Sequence, residues 1–295
     1  MKNLSAFKGT GVALITPFEP TTKAVSFTGL QQLLDFTAPH VNYFVVLGTT
    51  GESATLSKSE KKQVLDFVKQ NNPHKRPIVY GLGGNDTAEV LATIAETDFA
   101  GIDAILSVSP YYNKPTQEGI YQHYKAVADA SPVPVILYNV PGRTMSNVTA
   151  ATTLRLAAHP NIIGIKEASG NLEQCMAIAA GKPQDFMLIS GDDMLTVPMM
   201  SFGASGVISV LANAYPKHFC RMINLGLAGN FAEAGKMLLD YVNVNPLMYE
   251  ESNPVGVKAA AALQGVGSTA TRLPLLDASE SLQNKIQTAH QHLVS

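Results

Sequence analysis

Short apolar or β-branched runs recur through the first 210 residues of the chain, at 12–16, 43–47, 77–81, 104–108, 133–138, 162–166, 186–190 and 206–210. Their starts are separated by 31, 34, 27, 29, 29, 24 and 20 residues, which leaves room each time for one helix and two loops. The runs mostly lack alternation of apolar and polar residues, as do strands buried on both faces of a parallel sheet. Between them, Ser57 with Glu60 and Asp86 with Glu89 stand at capping-box spacing. Val64, Leu65, Phe67 and Val68, and later Val90, Leu91 and Ile94, then follow a helical period. Eight strand–helix units in a row predict an α/β chain closed into a (β/α)8, or TIM, barrel.

An open, doubly wound sheet is the alternative, but it usually carries a nucleotide fingerprint after its first strand. Here the first run enters Thr16, Pro17 and Phe18, and the Gly81-Leu82-Gly83-Gly84 run reads better as a turn than as a phosphate loop. After about residue 215 the pattern changes to helices, at 231–244, 254–263 and 279–293. The expected division is therefore a barrel carrying the active site over 1–224 and a C-terminal helical extension over 225–295.

Charged residues make up 15% of the chain, against roughly 25% in ordinary domains. Charges are depleted at the cores of subunit interfaces, so self-association is expected. A net charge of −2 with scattered basic residues gives no footprint for nucleic acid or an anionic membrane surface. Two cysteines, Cys175 and Cys220, suit a reduced interior better than a disulfide scaffold. The N-terminal segment lacks an apolar h-region followed by a cleavage site, so a cytoplasmic location is expected. Residues 194–216 carry no charge, yet Pro198, Gly203, Gly206 and Asn213 interrupt them. They read as a buried helix followed by a strand, not as a membrane span.

In a barrel of this kind the chemistry sits at the C-terminal ends of the strands. Lys166 is the one of sixteen lysines that ends an apolar strand run. Burial there favours the neutral amine, which attacks carbonyls; a structural ion pair with Glu167 or Asp192 is the competing reading. Tyr138, at the adjacent strand end, is placed to pass protons to a carbinolamine oxygen, and Thr49 and Tyr112 could extend a relay; singly each reads more readily as a satisfied polar core residue, but together at strand ends two, four, five and six they favour an active site. Gly48 to Gly51 suit a tight turn at a helix start that takes a small carboxylate, or else a plain glycine turn. Arg143, after a Pro-Gly turn, suits a bidentate carboxylate clamp or else a surface salt bridge. The seven histidines (His40, His74, His123, His159, His218, His290 and His292) end no strand, so no metal site is expected. Nor does a phosphate-binding glycine loop accompany the lysine as a pyridoxal phosphate enzyme would require.

These residues sit in motifs that closely resemble the dihydrodipicolinate synthase and N-acetylneuraminate lyase superfamily of Schiff-base aldolases. Gly-Thr-Thr-Gly-Glu at 48–52, Tyr-Tyr-Asn at 111–113, Tyr-Asn-Val-Pro-Gly-Arg-Thr at 138–144, Ile-Lys-Glu-Ala-Ser at 165–169 and Gly-Asp-Asp at 191–193 occur in the family's order. The resemblance implies a homotetramer, a dimer of dimers, in which Lys166 forms an imine with pyruvate and no cofactor is needed. It also implies that Tyr138 is the proton donor and acceptor, that Thr49 completes the relay, and that Tyr112 serves a neighbouring subunit. Thr50 resembles the pyruvate-carboxylate ligand, and Ile208 the residue whose backbone lies beside bound pyruvate.

The double threonine and Arg143 resemble the dihydrodipicolinate synthases more than the sialic acid lyases. Condensation of pyruvate with L-aspartate 4-semialdehyde, in the diaminopimelate route to lysine, is therefore the expected activity. The alternative is a pyruvate-dependent aldolase for a 2-keto-3-deoxy sugar acid such as N-acetylneuraminate. A non-catalytic carboxylate sensor would have no use for the full lysine, tyrosine and threonine set. Ser53, Ala54, Asn85, Glu89 and Tyr111 match the family's allosteric lysine site. Lys58 and Lys61, however, stand where feedback-sensitive members have histidines, so weak or absent inhibition is expected.

Overall fold

The computed structural model describes residues 4–294. Eight parallel strands close in chain order: β1 (Gly9–Ala13), β2 (Tyr43–Val46), β3 (Ile78–Gly81), β4 (Ala104–Val108), β5 (Val135–Asn139), β6 (Ile162–Glu167), β7 (Met187–Ser190) and β8 (Gly206–Ser209), with β8 pairing back onto β1. The (β/α)8 expectation holds, and strand limits differ mainly at the ends. β1 starts three residues before the expected 12–16 run, because Gly9 and Gly11 pair with β8 while adding nothing to an apolar pattern. It stops at Ala13 because the backbone is then taken over by a side chain: Ile15 N–H donates to Asn213 Oδ1 (3.1 Å) and Asn213 Nδ2 to the Ala13 carbonyl (2.8 Å).

Two apolar layers share the sheet. Phe7, Tyr43, Val45, Val79, Leu106, Ile136 and Ile189 fill the barrel interior, whereas Phe44, Val46, Ile105, Leu137 and Leu188 face the helices. Ser57 and Glu60 form the reciprocal capping box that opens the helix Lys58–Gln70. Asp86 caps Thr87–Glu96 through its own carboxylate, which accepts from Ala88 and Glu89 N–H. Within 194–216 lie the short helix Thr196–Ser201 and β8. Among the described residues no helix is long and apolar enough to cross a membrane.

The helix after β8, Pro216–Leu227, packs on β1 and β8, and the chain continues through Phe231–Leu239, Val255–Leu263 and Glu280–Val294. The outer apolar layer runs without a break into this tail through Tyr241, Met248, Val257, Leu282 and Ile286. In Val255–Leu263 every side chain from Val255 to Ala261 is buried, Lys258 among them.

Candidate active site

Register decides which way the strand-end residues point. Val135 pairs with Ile162 but Ile136 pairs with Gly164, so β6 carries one extra residue, Ile163, opposite β5. A one-residue slip exchanges the two faces of a strand. From Ile162, which packs outward, strict alternation would turn Lys166 outward as well. The bulge reverses that phase after Ile163: Ile165 packs in the outer layer, and Lys166 pairs with inward-facing Tyr138.

Lys166 is buried, with Nζ 4.3 Å from the centroid of the Tyr138 ring. Among the described residues it makes no ion pair, so neither Glu167 nor Asp192 neutralises it. Glu167 points the other way, where its carboxylate accepts from Asn139 Nδ2 (3.1 and 3.0 Å), Ser169 N–H (2.8 Å) and Gln174 Nε2 (3.0 Å). Asn147 joins the same network through Asn139 (2.8 Å) and Gln174 (2.9 Å). Neutral donors thus lock the end of β6 from outside while Lys166 stands inside, against the Tyr138 ring. Room for the lysine comes from Gly191: a Cβ there would stand 2.6 Å from Ala168 Cβ and 3.0 Å from Lys166 Cε.

Thr49 and Thr50 lie on a single 3-10 turn, Thr49–Gly51, at the end of β2. This differs from the helix start expected of Gly48 to Gly51. Glu52 adopts a left-handed conformation (φ 51°) and breaks the run, so the α-helix begins only at Lys58. The turn is held by Thr16 Oγ1, which donates to the Gly51 carbonyl (2.7 Å), and by Asn253 Nδ2, which donates to Thr50 Oγ1 (3.1 Å). A side chain on Gly81 would meet the Leu47 carbonyl at 2.5 Å, so Gly81 serves the approach of β3 to the end of β2, whereas Gly83 faces Val108 of β4.

Ile208 is buried in the inner layer, level with Gly11 of β1. The bend after β8 is fixed by Asp193, whose Oδ2 accepts from Val210 N–H (3.1 Å) and Leu211 N–H (2.8 Å). Burial pushes the Asp193 carboxyl up to about 6. Arg143 is exposed on the short helix Pro141–Thr144 and, among the described residues, pairs with no carboxylate, which disfavours the salt-bridge reading. Tyr112 is 86% exposed at φ 72° and stands clear of its own barrel. Ser53, Asn85, Glu89 and Tyr111 line a separate cleft of about 610 Å³ together with Lys58 and Lys61. Ala54 does not line it.

The turn is also braced by charges that the strand-end reading missed. Glu52 forms a buried ion pair with Lys258, whose Nζ also donates to the Ala270 carbonyl (2.7 Å) and lies 4.0 Å over the Phe18 ring. Burial pushes the Lys258 ammonium down to about 8, against the opposing pull of Glu52. Arg272 donates its N–H to Glu52 (3.1 Å) and its guanidinium to the Thr55 carbonyl (3.0 Å) and Glu60 (2.6 Å). The Arg272 hydrogen bond holds the Glu60 carboxyl down to about 2. Among the described residues no cluster of three or more His, Cys, Asp or Glu is placed to hold a metal; the side chain of His292 lies outside the described residues.

A buried lysine with no counter-ion among the described residues, paired with a tyrosine at the mouth of a (β/α)8 barrel, is the arrangement an imine-forming enzyme needs. The family model described as "Dihydrodipicolinate synthetase family" matches residues 6–293. The chain belongs to the dihydrodipicolinate synthetase family. A Cytophaga hutchinsonii member named 4-hydroxy-tetrahydrodipicolinate synthase is 51% identical over 288 residues, 97% of each chain. Among solved structures, the Acinetobacter baumannii dihydrodipicolinate synthase complexed with pyruvate superposes with a TM-score of 0.93 at 37% identity, covering 97% of this chain and 99% of that one. The Cyanidioschyzon merolae family member with lysine bound gives 0.92 at 38% identity, covering 98% and 99%. These relatives favour the synthase reading over the sugar-acid aldolase.

Proposed function

We propose that this family member condenses pyruvate with L-aspartate 4-semialdehyde, giving 4-hydroxy-tetrahydrodipicolinate and water. The observation that carries the mechanism is Lys166, buried, without an anion among the described residues, and directed at Tyr138 by the bulge in β6. The Lys166 amine adds to the pyruvate C2 carbonyl, and Tyr138 delivers the proton with which the carbinolamine oxygen leaves as water. Loss of a proton from C3 of the resulting imine gives the enamine. That carbon forms the new bond to the aldehyde carbon of the second substrate, whose oxygen takes up a proton. The substrate's own amino group then attacks C2, closes the ring and displaces Lys166 as the free amine. Every step uses protein groups and substrate alone, so the covalent imine takes the place of a cofactor.

Thr49 and Tyr112 extend the proton relay, Thr50 holds the pyruvate carboxylate, the Ile208 backbone flanks it, and Arg143 clamps the carboxylate of the aldehyde. In the cleft lined by Ser53, Asn85, Glu89 and Tyr111, the ammonium groups of Lys58 and Lys61 oppose that of an amino-acid effector. Free L-lysine is therefore a weak inhibitor or none. A steady-state assay of pyruvate and aspartate semialdehyde, coupled to reduction of the product, tests the reaction. Turnover is expected with this pair, and Arg143→Ala should raise KM for the aldehyde at least about tenfold while sparing that for pyruvate. Cleavage of N-acetylneuraminate without synthase turnover would overturn the assignment.

A further inference from the structure

We infer that Asn253 is a positioning residue of the carboxylate-binding turn, fixing the Thr50 hydroxyl as a hydrogen-bond donor to pyruvate. This rests on the reading above that Thr50 takes the pyruvate carboxylate. A threonine hydroxyl has one proton to give and two lone pairs to accept with. Asn253 Nδ2 fills one lone pair from 3.1 Å, across a sequence separation of 203 residues, and both residues are buried. Among the described residues Thr50 Oγ1 donates to nothing in the chain, so its proton is left for a ligand. An anion is the partner such a proton serves best.

The segment that bears Asn253 is anchored for this task. Glu52, two residues beyond Thr50, is ion-paired in the interior with Lys258, five residues beyond Asn253. Arg272, further along the tail, binds Glu52, Thr55 and Glu60. The C-terminal extension therefore grips the chain just beyond the turn and sets an amide against Thr50 within it, which makes the tail a working part of the active site. Among the described residues Asn253 Oδ1 is buried without a partner. A residue kept only for packing has no need of an amide with one end unsatisfied.

The test is steady-state kinetics on the full-length enzyme with Asn253→Ala, Asn253→Asp and Thr50→Val, singly and combined. Asn253→Ala should raise KM for pyruvate about 5- to 10-fold while kcat and KM for the aldehyde stay within about 2-fold. Asn253→Asp keeps the shape but accepts the Thr50 proton and repels the substrate carboxylate, so it should raise KM for pyruvate more than alanine does. In a Thr50→Val background, Asn253→Ala should add less than about 2-fold, because the hydroxyl it acts through is gone. Asn253 variants that leave KM for pyruvate unchanged, or that multiply with Thr50→Val, overturn the inference while leaving Thr50 in its role. If Thr50→Val itself leaves that KM unchanged, the reading of Thr50 fails and the inference with it. Melting curves separate a folding defect from these outcomes, and the isosteric Asp variant keeps the test usable if the alanine variant does not fold.

Discussion

Among the described residues two lysines are buried, and their surroundings differ. Lys258 faces Glu52 and a backbone carbonyl in a fully enclosed site, whereas Lys166 faces the tyrosine ring and, among the described residues, no anion. Position at a strand end distinguishes them in the sequence; burial alone does not. Lys166 and Tyr138 were legible because strand-end placement is a local property. Gly191 and Asn253 were not, since each acts on a residue from another element: Gly191 on Lys166 and Asn253 on Thr50.

Asp193 carries a pH prediction at the same scale. Its carboxyl ionises near the ordinary value of 3.8 in the unfolded chain but at about 6 in the fold, because burial disfavours the anion. Well below 3.8 both states are protonated and the group costs nothing. As pH rises through 6 the unfolded state is already ionised, and the fold loses about 3 kcal/mol relative to its acid limit. Asp193→Asn keeps an acceptor for Val210 and Leu211 without titrating. Urea unfolding from pH 5 to 7 should therefore show the stability difference shifting toward the variant as pH rises; parallel curves would contradict this.

At the scale of elements, the bulge in β6 is the device on which the site depends. Gly164 follows it, and a Cβ there would stand 2.8 Å from the Met187 carbonyl oxygen. Gly164→Ala should push β6 away from β7, costing about 1–3 kcal/mol in denaturant unfolding and lowering kcat at least about tenfold. Unchanged stability and turnover would mean that the strand tolerates the shift. The order and number of strands were legible from spacing, because each βα unit needs similar chain length. The bulge was not, because Ile162, Ile163, Gly164 and Ile165 are apolar on both faces and carry no phase. Gly9 to Gly11 hid the start of β1 for a related reason, since glycine pairs in a ladder without adding an apolar signal.

For the whole molecule, the low charge content divides between doubly buried strands and surface that the single chain leaves apolar. Leu239, Val242, Leu263, Leu273 and Leu276 are all at least 45% exposed. Together with the 86% exposure of Tyr112, they fit an assembly in which one chain completes another's site. We expect a homotetramer of the 31.4 kDa chain by analytical ultracentrifugation. Co-expressing Tyr112→Phe with Lys166→Ala subunits should restore activity above either parent, to about a quarter of the sites under random pairing. A mixture no more active than its parents would place Tyr112 outside the partner's relay. The charge deficit pointed to assembly, but which side chain crosses between copies does not follow from composition.

The claim on which the rest depends is that Lys166 is the nucleophile. Borohydride reduction in the presence of pyruvate, followed by peptide mass spectrometry, tests it directly. A reduced pyruvate adduct is expected on the Lys166 peptide, with loss of activity in proportion to its formation and no adduct in Lys166→Ala. No pyruvate-dependent adduct, or one confined to Lys258 or another lysine, would contradict it.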